Sequence, residues 1–411
     1  MTSPASRDHL RPEPAPAGGH APPPAWRMIL SGACACLIGI GLARFAYTPL
    51  LPAVIAAGWF DADAATYLAA ANLGGYLLGV LIAGPMTARR SPTWALRLMM
   101  AASTASLFAC AYPASFTWFF TWRLISGVSG GVIMILAAPA ILVHLPPARR
   151  GLASGFIFMG VGLGVAASGT LVPLLLSDGL TAAWLGLATA SAILTLVAWT
   201  GWPHGLPAQA SPTLRRARRP RPQLWLLHAT YGLNAIGLVP HMVFLSVFVA
   251  HGLGQGVQTG AVYWIVFGLG AVVGPLLSGH LADRAGYRPA LRLVLLLETL
   301  ATLAPAVTHA PAALIASSLF MGAATPGIVP LVLGRVHELA GPGLAGQKSA
   351  WRMATTAFAA AQAAAAYGLA WLLSRSGGDY ALLFLVGGGA LVLALLIELV
   401  GSVAARARRV R

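Results

Sequence analysis

Residues 257–308 read VQTGAVYWIVFGLGAVVGPLLSGHLADRAGYRPALRLVLLLETLATLAPAVT. Two long apolar segments flank a short charged turn at residues 279–288. A helix needs roughly 20 apolar residues to cross a hydrocarbon core about 30 Å thick. Both segments reach that length, so the stretch predicts two membrane-spanning helices joined by a tight polar loop.

The composition of the whole chain indicates a membrane protein. Of its 411 residues 58% are hydrophobic and only 9% are charged, too little polar surface for a soluble globule of this size. The formal charge of +16 is spread in short runs between apolar segments, which excludes a basic domain for nucleic acid. Cys34, Cys36 and Cys110 lack the spacing of metal ligands, and we expect no cofactor.

Apolar segments recur along the chain twelve times, and the fold class is an all-α membrane protein of twelve transmembrane helices. Boundaries read this way are loose by a few residues. The predicted spans lie near residues 28–50, 64–86, 94–113, 116–144, 151–176, 182–202, 223–250, 257–279, 289–308, 311–337, 347–373 and 380–403.

The distribution of basic residues predicts the orientation. There are 26 Arg and Lys residues. Arg44, Arg123 and Arg335 are counted within spans, whereas Arg97, Arg292, Lys348 and Arg352, in the first turns of their spans, are counted with the cytosolic side. A cytosolic amino terminus then leaves only Arg375 outside, so 26 − 3 − 1 = 22 fall on the cytosolic side. Positive residues favour the cytosolic face of a membrane. Both termini are therefore predicted to be cytosolic.

Polar segments divide the chain into two halves. Residues 1–27 lack an apolar core and are predicted to be a disordered cytosolic tail. The predicted six-helix bundles cover 28–202 and 223–403; the basic, proline-containing stretch 203–222 is predicted to be a cytosolic linker, and 404–411 a basic cytosolic tail. The linker basic residues are explained either by contact with anionic lipid or by a solvated tether.

The two halves are related by a repeat with a shift of 195 residues. Ala95-Leu-Arg-Leu matches Ala290-Leu-Arg-Leu, and the same shift places Gly127 on Gly322 and Gly151 on Gly346. Parallel halves related by an axis along the membrane normal recur in secondary transporters, which bind substrate at the midplane between them. The halves are therefore predicted to be pseudo-symmetric.

The turn after span eight contains Gly279, Asp283, Arg284, Gly286 and Arg288. This pattern resembles the signature loop G-x-x-x-D-R-x-G-x-R of the major facilitator superfamily. The resemblance implies the superfamily's twelve-helix fold and a cytosolic gate formed by these residues. Chemically, the Asp283 carboxylate can accept hydrogen bonds from a guanidinium or from a helix N-terminus.

The first-half copy of this loop departs from the pattern. Gly84 and Arg89 are retained, but Ala88 stands where the superfamily has an aspartate. The first-half copy therefore lacks the carboxylate on which the second-half gate depends.

Spans one and two resemble a narrower branch of the superfamily. Gly41-Leu-Ala-Arg-Phe-Ala-Tyr-Thr-Pro-Leu-Leu-Pro52, followed by Tyr67-Leu-Ala-Ala-Ala-Asn-Leu-Gly-Gly-Tyr76, is similar to the bacterial YbfB/YjiJ-type transporters. The resemblance implies a multi-pass transporter of the bacterial inner membrane that acts as a monomer. It leaves the substrate undefined.

Two arginines lie inside predicted spans of the first half. An intramembrane arginine is costly and marks function by default, and Arg44 and Arg123 fall at similar depths. We predict a paired cationic site for a small organic anion, with Tyr47, Asn72 and Tyr76 nearby. The alternative is that Arg123 only caps carbonyls within the first bundle.

Span seven supplies the other predicted site residues, Tyr231, Asn234 and His241. A histidine can carry a proton near neutral pH, although a membrane histidine is more often a hydrogen-bonding residue between helices. Glu298 in span nine is interpreted as a structural partner of a neighbouring helix.

These features predict a secondary active transporter that moves a small organic anion by alternating access, with proton coupling. Its partners are the solute, protons and membrane lipid. The chain carries no phosphate-binding loop and no convergent acid, nucleophile or metal set, which argues against a pump or an enzyme. A drug-type proton antiporter and a non-transporting sensor or scaffold on the same fold remain open.

Overall fold

The computed structural model describes residues 23–203, 222–341 and 343–410. Helix α1 consists of Ala25–Cys36, a π-helical segment Leu37–Phe45, and Tyr47–Ala56. The other helices of the first bundle are α2 (Ala62–Arg89), α3 (Pro92–Ala109), α4 (Phe116–Leu142), α5 (Arg150–Leu176) and α6 (Leu180–Ala198).

The second bundle has the same helix count. Helix α7 consists of Pro222–Val239, a π-helical segment Pro240–Phe244, Leu245–Val247, and a second π-helical segment Phe248–Gly252. The remaining helices are α8 (Val257–Ala285), α9 (Tyr287–Val307), α10 (Pro311–Ala340), α11 (Leu344–Arg375) and α12 (Tyr380–Val410).

The twelve predicted spans correspond to these twelve helices. Eleven of the described helices are long and apolar enough to cross a membrane, and α3, which includes Arg97, is not among them. Helix α1 begins at Ala25, inside the predicted 1–27 tail, and α12 continues to Val410. The rest of that tail, residues 1–22, and the linker residues 204–221 lie outside the described residues.

Polar residues at the start of several helices explain where those helices begin. Asp61 accepts a bond of 2.7 Å from the Ala64 N–H at the start of α2, and Ser91 and Ser115 accept the equivalent bonds in α3 and α4. Such an N-cap contributes about 1 kcal/mol to helix stability. These residues of the predicted loops therefore determine where the three helices begin.

Close glycine contacts recur in the two bundles at the predicted spacing. Gly127 of α4 packs so tightly on the Asn72 carbonyl of α2 that an added Cβ would collide with it. Gly322 of α10 packs in the same way on the Phe267 carbonyl of α8, and 322 − 127 and 267 − 72 are both 195. Small residues let membrane helices approach closely. The internal repeat is thus preserved in three dimensions.

The bundles meet along a seam that is tighter on one side. Helix α5 packs against α8 so closely that a Cβ at Gly155 would overlap the Pro275 carbonyl, and one at Gly162 would overlap Ala271. On the other side, α2 faces α11 with looser contact. Gly155 and Gly162 of α5 are therefore packing residues at the interface between bundles, whereas Gly160 and Gly164 pack on α1 within the first bundle.

Candidate substrate-binding site

Arg44 lies at the seam between the two bundles. Its Nη2 atom donates a hydrogen bond to the side-chain oxygen of Gln362 on α11, in the opposite bundle. The guanidinium carbon lies 5.4 Å from the ring centroids of both Phe45 and Tyr76. Aromatic faces attract cations, but they do not neutralise them. Arg44 is therefore a cation held at the bundle interface by neutral groups.

Gln362 is oriented by a second contact, because its Nε2 atom lies 3.5 Å from the Met242 sulfur on α7. Its carbonyl oxygen is thereby directed at Arg44. Across the seam, Trp264 of α8 packs its ring 6.4 Å from Phe45 and donates to the Ser168 hydroxyl on α5 at 3.4 Å. Aromatic and amide groups from the second bundle thus surround a guanidinium from the first.

Arg123 is held inside the first bundle instead. Its Nη1 atom donates a bond of 2.7 Å to the Ala43 carbonyl, and its guanidinium lies 4.2 Å from the Tyr47 ring centroid. Only 3% of its surface is exposed. These contacts match the alternative reading, in which Arg123 caps carbonyls. Because it bonds the residue before Arg44, it also holds the turn of α1 that presents Arg44.

That turn belongs to the π-helical segment Leu37–Phe45. Such segments are rare and often occur at functional sites, where the widened turn leaves backbone carbonyls open to side chains. The Ala43 carbonyl accepts from Arg123 and also from the Ser126 hydroxyl at 3.3 Å. Side chains of α4 thus stabilise the irregular part of α1.

Tyr47 and Asn72 support this arrangement within the first bundle. The Tyr47 hydroxyl donates to the Ala65 carbonyl at 3.0 Å, and the Asn72 amide donates to the Ser126 hydroxyl at 3.2 Å. Both side chains are almost completely buried. Of the predicted first-half residues, the structure therefore brings only Arg44 and Tyr76 together at the seam.

The predicted residues of α7 fall at different places. Tyr231 packs its ring 4.6 Å from Phe358 of α11, facing the centre of the protein. His241 is bonded at 2.7 Å to the Ser317 hydroxyl of α10 and is 1% exposed. Asn234 bonds Glu298 of α9, the structural pairing that the sequence indicated for this acid. His241 and Asn234 thus point into the second bundle.

The signature loop closes the predicted cytosolic end of the seam. Asp283 accepts two hydrogen bonds from the start of α5, 3.0 Å from the Gly151 N–H and 2.7 Å from the Leu152 N–H. Gly279 and Gly151 approach so closely that neither has room for a side chain. A carboxylate at a helix N-terminus is favoured by the free N–H groups and the helix dipole.

The other residues of the loop have separate roles. Gly286 has a φ of 87°, a conformation that favours glycine and starts α9. Arg288 pairs with Glu398 of α12 at 2.9 Å within the second bundle, and Arg284 is exposed. Only Gly279 and Asp283 of the five predicted gate residues therefore touch the first bundle in the described contacts.

The first-half copy of the loop makes a different contact. Gly84 packs against the Arg352 guanidinium of α11, and the neighbouring Trp351 donates to the Met134 carbonyl of α4 at 3.3 Å. An arginine and a tryptophan of the second bundle thus contact the first bundle near this copy of the loop, which has Ala88 in place of the aspartate. The gate is asymmetric in its chemistry.

Sequence reasoning left Phe45, Gln362, Met242 and Trp264 out of the predicted site. Gln362 is the one that carried a readable signal, since an amide inside an apolar helix needs a partner. Phe45, Met242 and Trp264 are ordinary membrane residues, and only the packing of the bundles gives them a role. Trp351 is likewise an ordinary membrane residue, and only the packing of the bundles shows its contact with the first bundle.

Charge balance sets the seam apart from the rest of the described chain. Away from the seam, the described salt bridges join Arg288 and Arg292 to Glu398, and Arg335 to Glu338. None of these described pairs includes Arg44 or Arg123. An unneutralised guanidinium in a membrane interior costs several kcal/mol, so it is retained for a reason.

Twelve helices in two repeated bundles, a signature loop at the seam and a polar centre define a transporter of the major facilitator type, not an enzyme. The chain belongs to the family described as "Uncharacterised MFS-type transporter YbfB", whose profile matches residues 36–399. It is 25% identical over 315 residues to the "Uncharacterized MFS-type transporter YceJ" of Bacillus subtilis (strain 168), covering 73% of this chain and 78% of that one.

Solved structures share the fold. The human organic anion transporter MFSD10 superposes with a TM-score of 0.72 at 18% identity, covering 92% of this chain and all of the other. The proton:xylose symporter XylE superposes with a TM-score of 0.69 at 15% identity, covering 90% and 94% of the two chains. Together these similarities establish a multi-pass membrane transporter.

Proposed function

We propose that the protein moves a small organic anion across the bacterial inner membrane, as a monomer with cytosolic termini, by alternating access coupled to protons. The observation that carries the anion is Arg44. Its guanidinium sits between the bundles, and its described partners are the neutral Gln362 and two aromatic rings. A carboxylate binds a guanidinium through two parallel charge-assisted hydrogen bonds, which a single amide oxygen cannot match.

The position of the cation explains why binding would affect the transport cycle. Arg44 belongs to the first bundle and Gln362 to the second, so a carboxylate that replaces Gln362 changes a contact between bundles. A ligand shifts a conformational equilibrium only through different contacts in the two states. Substrate that binds Arg44 therefore alters the balance between closed and open seams.

Arg123 supports the site from behind. It already bonds the Ala43 carbonyl and lies over the Tyr47 ring, so it keeps fewer donors for a ligand than Arg44 does. Its charge nevertheless adds to the positive potential of the same layer of the first bundle. MFSD10 is described as an organic anion transporter, but a fold shared at 18% identity does not assign a substrate.

Uptake into proteoliposomes tests this function. Purified protein is assayed with radiolabelled mono-, di- and tricarboxylates, with and without an imposed proton gradient. For an accepted carboxylate, Arg44→Gln should lower uptake by at least about 10-fold, because a charge-assisted bidentate bond is worth more than 1.4 kcal/mol. Arg44→Lys should retain part of it.

Arg97→Gln is the matched control. Arg97 is also an arginine in a membrane helix, but it bonds the Trp199 carbonyl at 2.9 Å on α6, away from the seam. Its substitution should leave uptake near the wild-type rate. Equal uptake by Arg44→Gln and wild type would refute the anion site. Failure of the wild type to move any solute would favour the sensor or scaffold reading.

A further inference from the structure

Glu298 is a carboxylic acid in the middle of α9 that is completely buried in the second bundle. Its exposed fraction is 0%, as is that of Asn234 on α7. The Asn234 Nδ2 atom donates to the Glu298 Oε2 atom at 2.6 Å. A buried acid in a membrane helix is rare and costly as a carboxylate. The hydrogen-bond partners of Glu298 therefore indicate whether it carries a proton.

The other side-chain oxygen atoms of Glu298 and Asn234 bear on whether Glu298 is protonated. Glu298 Oε1 and Asn234 Oδ1 are both buried, and neither has a hydrogen-bond partner among the described residues. Both are acceptors when the acid is ionised, so both would be left unsatisfied, at a cost of about 1–3 kcal/mol each. A proton on Glu298 converts one oxygen to a donor and allows an acid–amide pair with two hydrogen bonds.

This reasoning does not depend on which way the amide is placed. If the nitrogen and oxygen of Asn234 were exchanged, the amide oxygen would face Glu298 Oε2 at 2.6 Å. Two acceptors at that distance again require a proton between them. Either orientation is satisfied by a neutral acid.

The charges around α9 do not favour the ionised form. Helix α9 packs on α7, α8, α10 and α12, and the described salt bridges there do not reach Glu298. Arg292, on α9 itself, lies about 9 Å along the helix at 1.5 Å per residue. The other titratable and charged groups whose side chains are described on these helices are His228, Tyr231 and His241; Tyr263, His280, Asp283 and Arg284; Tyr287, Arg288 and Arg292; Arg335, His337 and Glu338; Tyr380 and Glu398.

From this geometry we propose that Glu298 is the proton-binding residue of the second bundle, and that its burial keeps it a neutral acid, bonded to Asn234, in this conformation. Release of the proton requires water to reach the buried acid, and movement of α7 against α9 would give it access. The step transfers only a proton, from the Glu298 carboxyl to water. This coupling role rests on the proposed function; the protonation state does not.

Helix α7 links this pair to the seam. Asn234 faces α9, while Tyr231, one turn earlier, stacks 6.4 Å from Trp351 of α11, which donates to the Met134 carbonyl of the first bundle. The π-helical segment Pro240–Phe244 follows directly, and a wide turn is a point where a helix can bend. A change at the seam that shifts α7 would therefore expose or close the Glu298 pair.

Infrared difference spectroscopy tests the protonation state without any substrate. The full-length protein in nanodiscs is titrated from acid to alkaline pH, and the C=O band of a protonated carboxyl is followed. We expect a band at neutral pH that Glu298→Gln removes, while Asn234→Ala keeps it and shifts its frequency, because the acid loses a partner. A band that is unchanged in Glu298→Gln, or a wild type without one at neutral pH, would overturn the proposal.

Glu398→Gln is the matched control. Glu398 is also a buried acid, 7% exposed, but it forms a salt bridge with Arg288 at 2.9 Å. Its substitution should leave the carboxyl band in place. With an accepted carboxylate, Glu298→Gln should also lower proton-driven accumulation by about 10-fold or more. Unchanged accumulation would overturn the coupling role, and a wild type that moves no carboxylate would count against the proposed function alone.

Discussion

The Arg44 guanidinium of the first bundle donates a hydrogen bond to the Gln362 side-chain oxygen of the second. This bond joins the two bundles at the Arg44 guanidinium, whose positive charge is not neutralised by any of the described salt bridges. Gln362 offers a single neutral oxygen in the direction from which a carboxylate would approach. The amide therefore occupies the position that we propose for the ligand, without neutralising the cation.

A built-in carboxylate at this position should compete with substrate. We predict that Gln362→Glu lowers uptake of an accepted carboxylate by at least about 10-fold, because the fixed acid pairs with Arg44. The same pair should raise the thermal unfolding midpoint in detergent. Gln347→Glu is the control, since Gln347 lies at the start of the same helix and bonds the Gly341 carbonyl. Wild-type uptake in Gln362→Glu would contradict the assignment of Arg44.

Arg123 is predicted to matter for stability more than for substrate recognition. Arg123→Gln removes the donor to the Ala43 carbonyl and the contact with the Tyr47 ring, which should cost about 2–5 kcal/mol. The thermal midpoint should fall sharply. Tyr47→Phe, which loses only the bond to Ala65, should cost about 1 kcal/mol.

The result that would contradict this reading is specific. An Arg123→Gln protein that is as stable as wild type but no longer transports would indicate that Arg123 binds the substrate. The two arginines would then form the paired site that the sequence predicted from their similar depths in the membrane.

The sequence predicted the helices and the repeat because length and apolar composition decide membrane insertion. It also predicted that Asp283 accepts hydrogen bonds from a guanidinium or from a helix N-terminus, and the structure shows the second of these partners. It could not separate Arg44 from Arg123. Both are intramembrane arginines, and only the packing of α4 on the π-helical turn shows that one faces carbonyls and the other faces the opposite bundle.

The positions of His241 and Gln362 show the same limit. Both are polar residues in apolar helices, and spacing alone gives them equal weight. The rotation of each helix about its axis decides the outcome: His241 meets Ser317 inside its own bundle, whereas Gln362 crosses the seam. That rotation is set by packing with neighbours distant in sequence.

Asp283 should control the conformational equilibrium of the bundles. Asp283→Asn keeps the shape but replaces one acceptor by a donor facing an N–H group of α5, at a cost of about 1–2 kcal/mol. We therefore predict a shift of about 5- to 30-fold toward the state open at the predicted cytosolic side. Electron spin resonance between labels at the exposed Arg90 and Lys348 positions measures it.

Asp379→Asn provides the comparison for this experiment. Asp379 also caps a helix, accepting from the Leu382 N–H at 3.3 Å, but it lies at the opposite end of the bundle. Its substitution should leave the distance distribution unchanged. A wild-type distribution in Asp283→Asn would show that the signature loop does not hold the seam closed.

Close approach of α5 and α8 should depend on Gly162. A Cβ at this position would overlap the Ala271 backbone, so Gly162→Ala forces the helices apart and should lower stability by about 1–3 kcal/mol. Gly368→Ala on α11 is the control, because nothing lies within 4 Å of its Cβ position and alanine favours a helix over glycine. Thermal unfolding in detergent separates the two, with a lower midpoint in the first variant and an equal or higher one in the second. Equal midpoints would mean that the bundles do not pack through these glycines, and the tight side of the seam would have to be placed elsewhere.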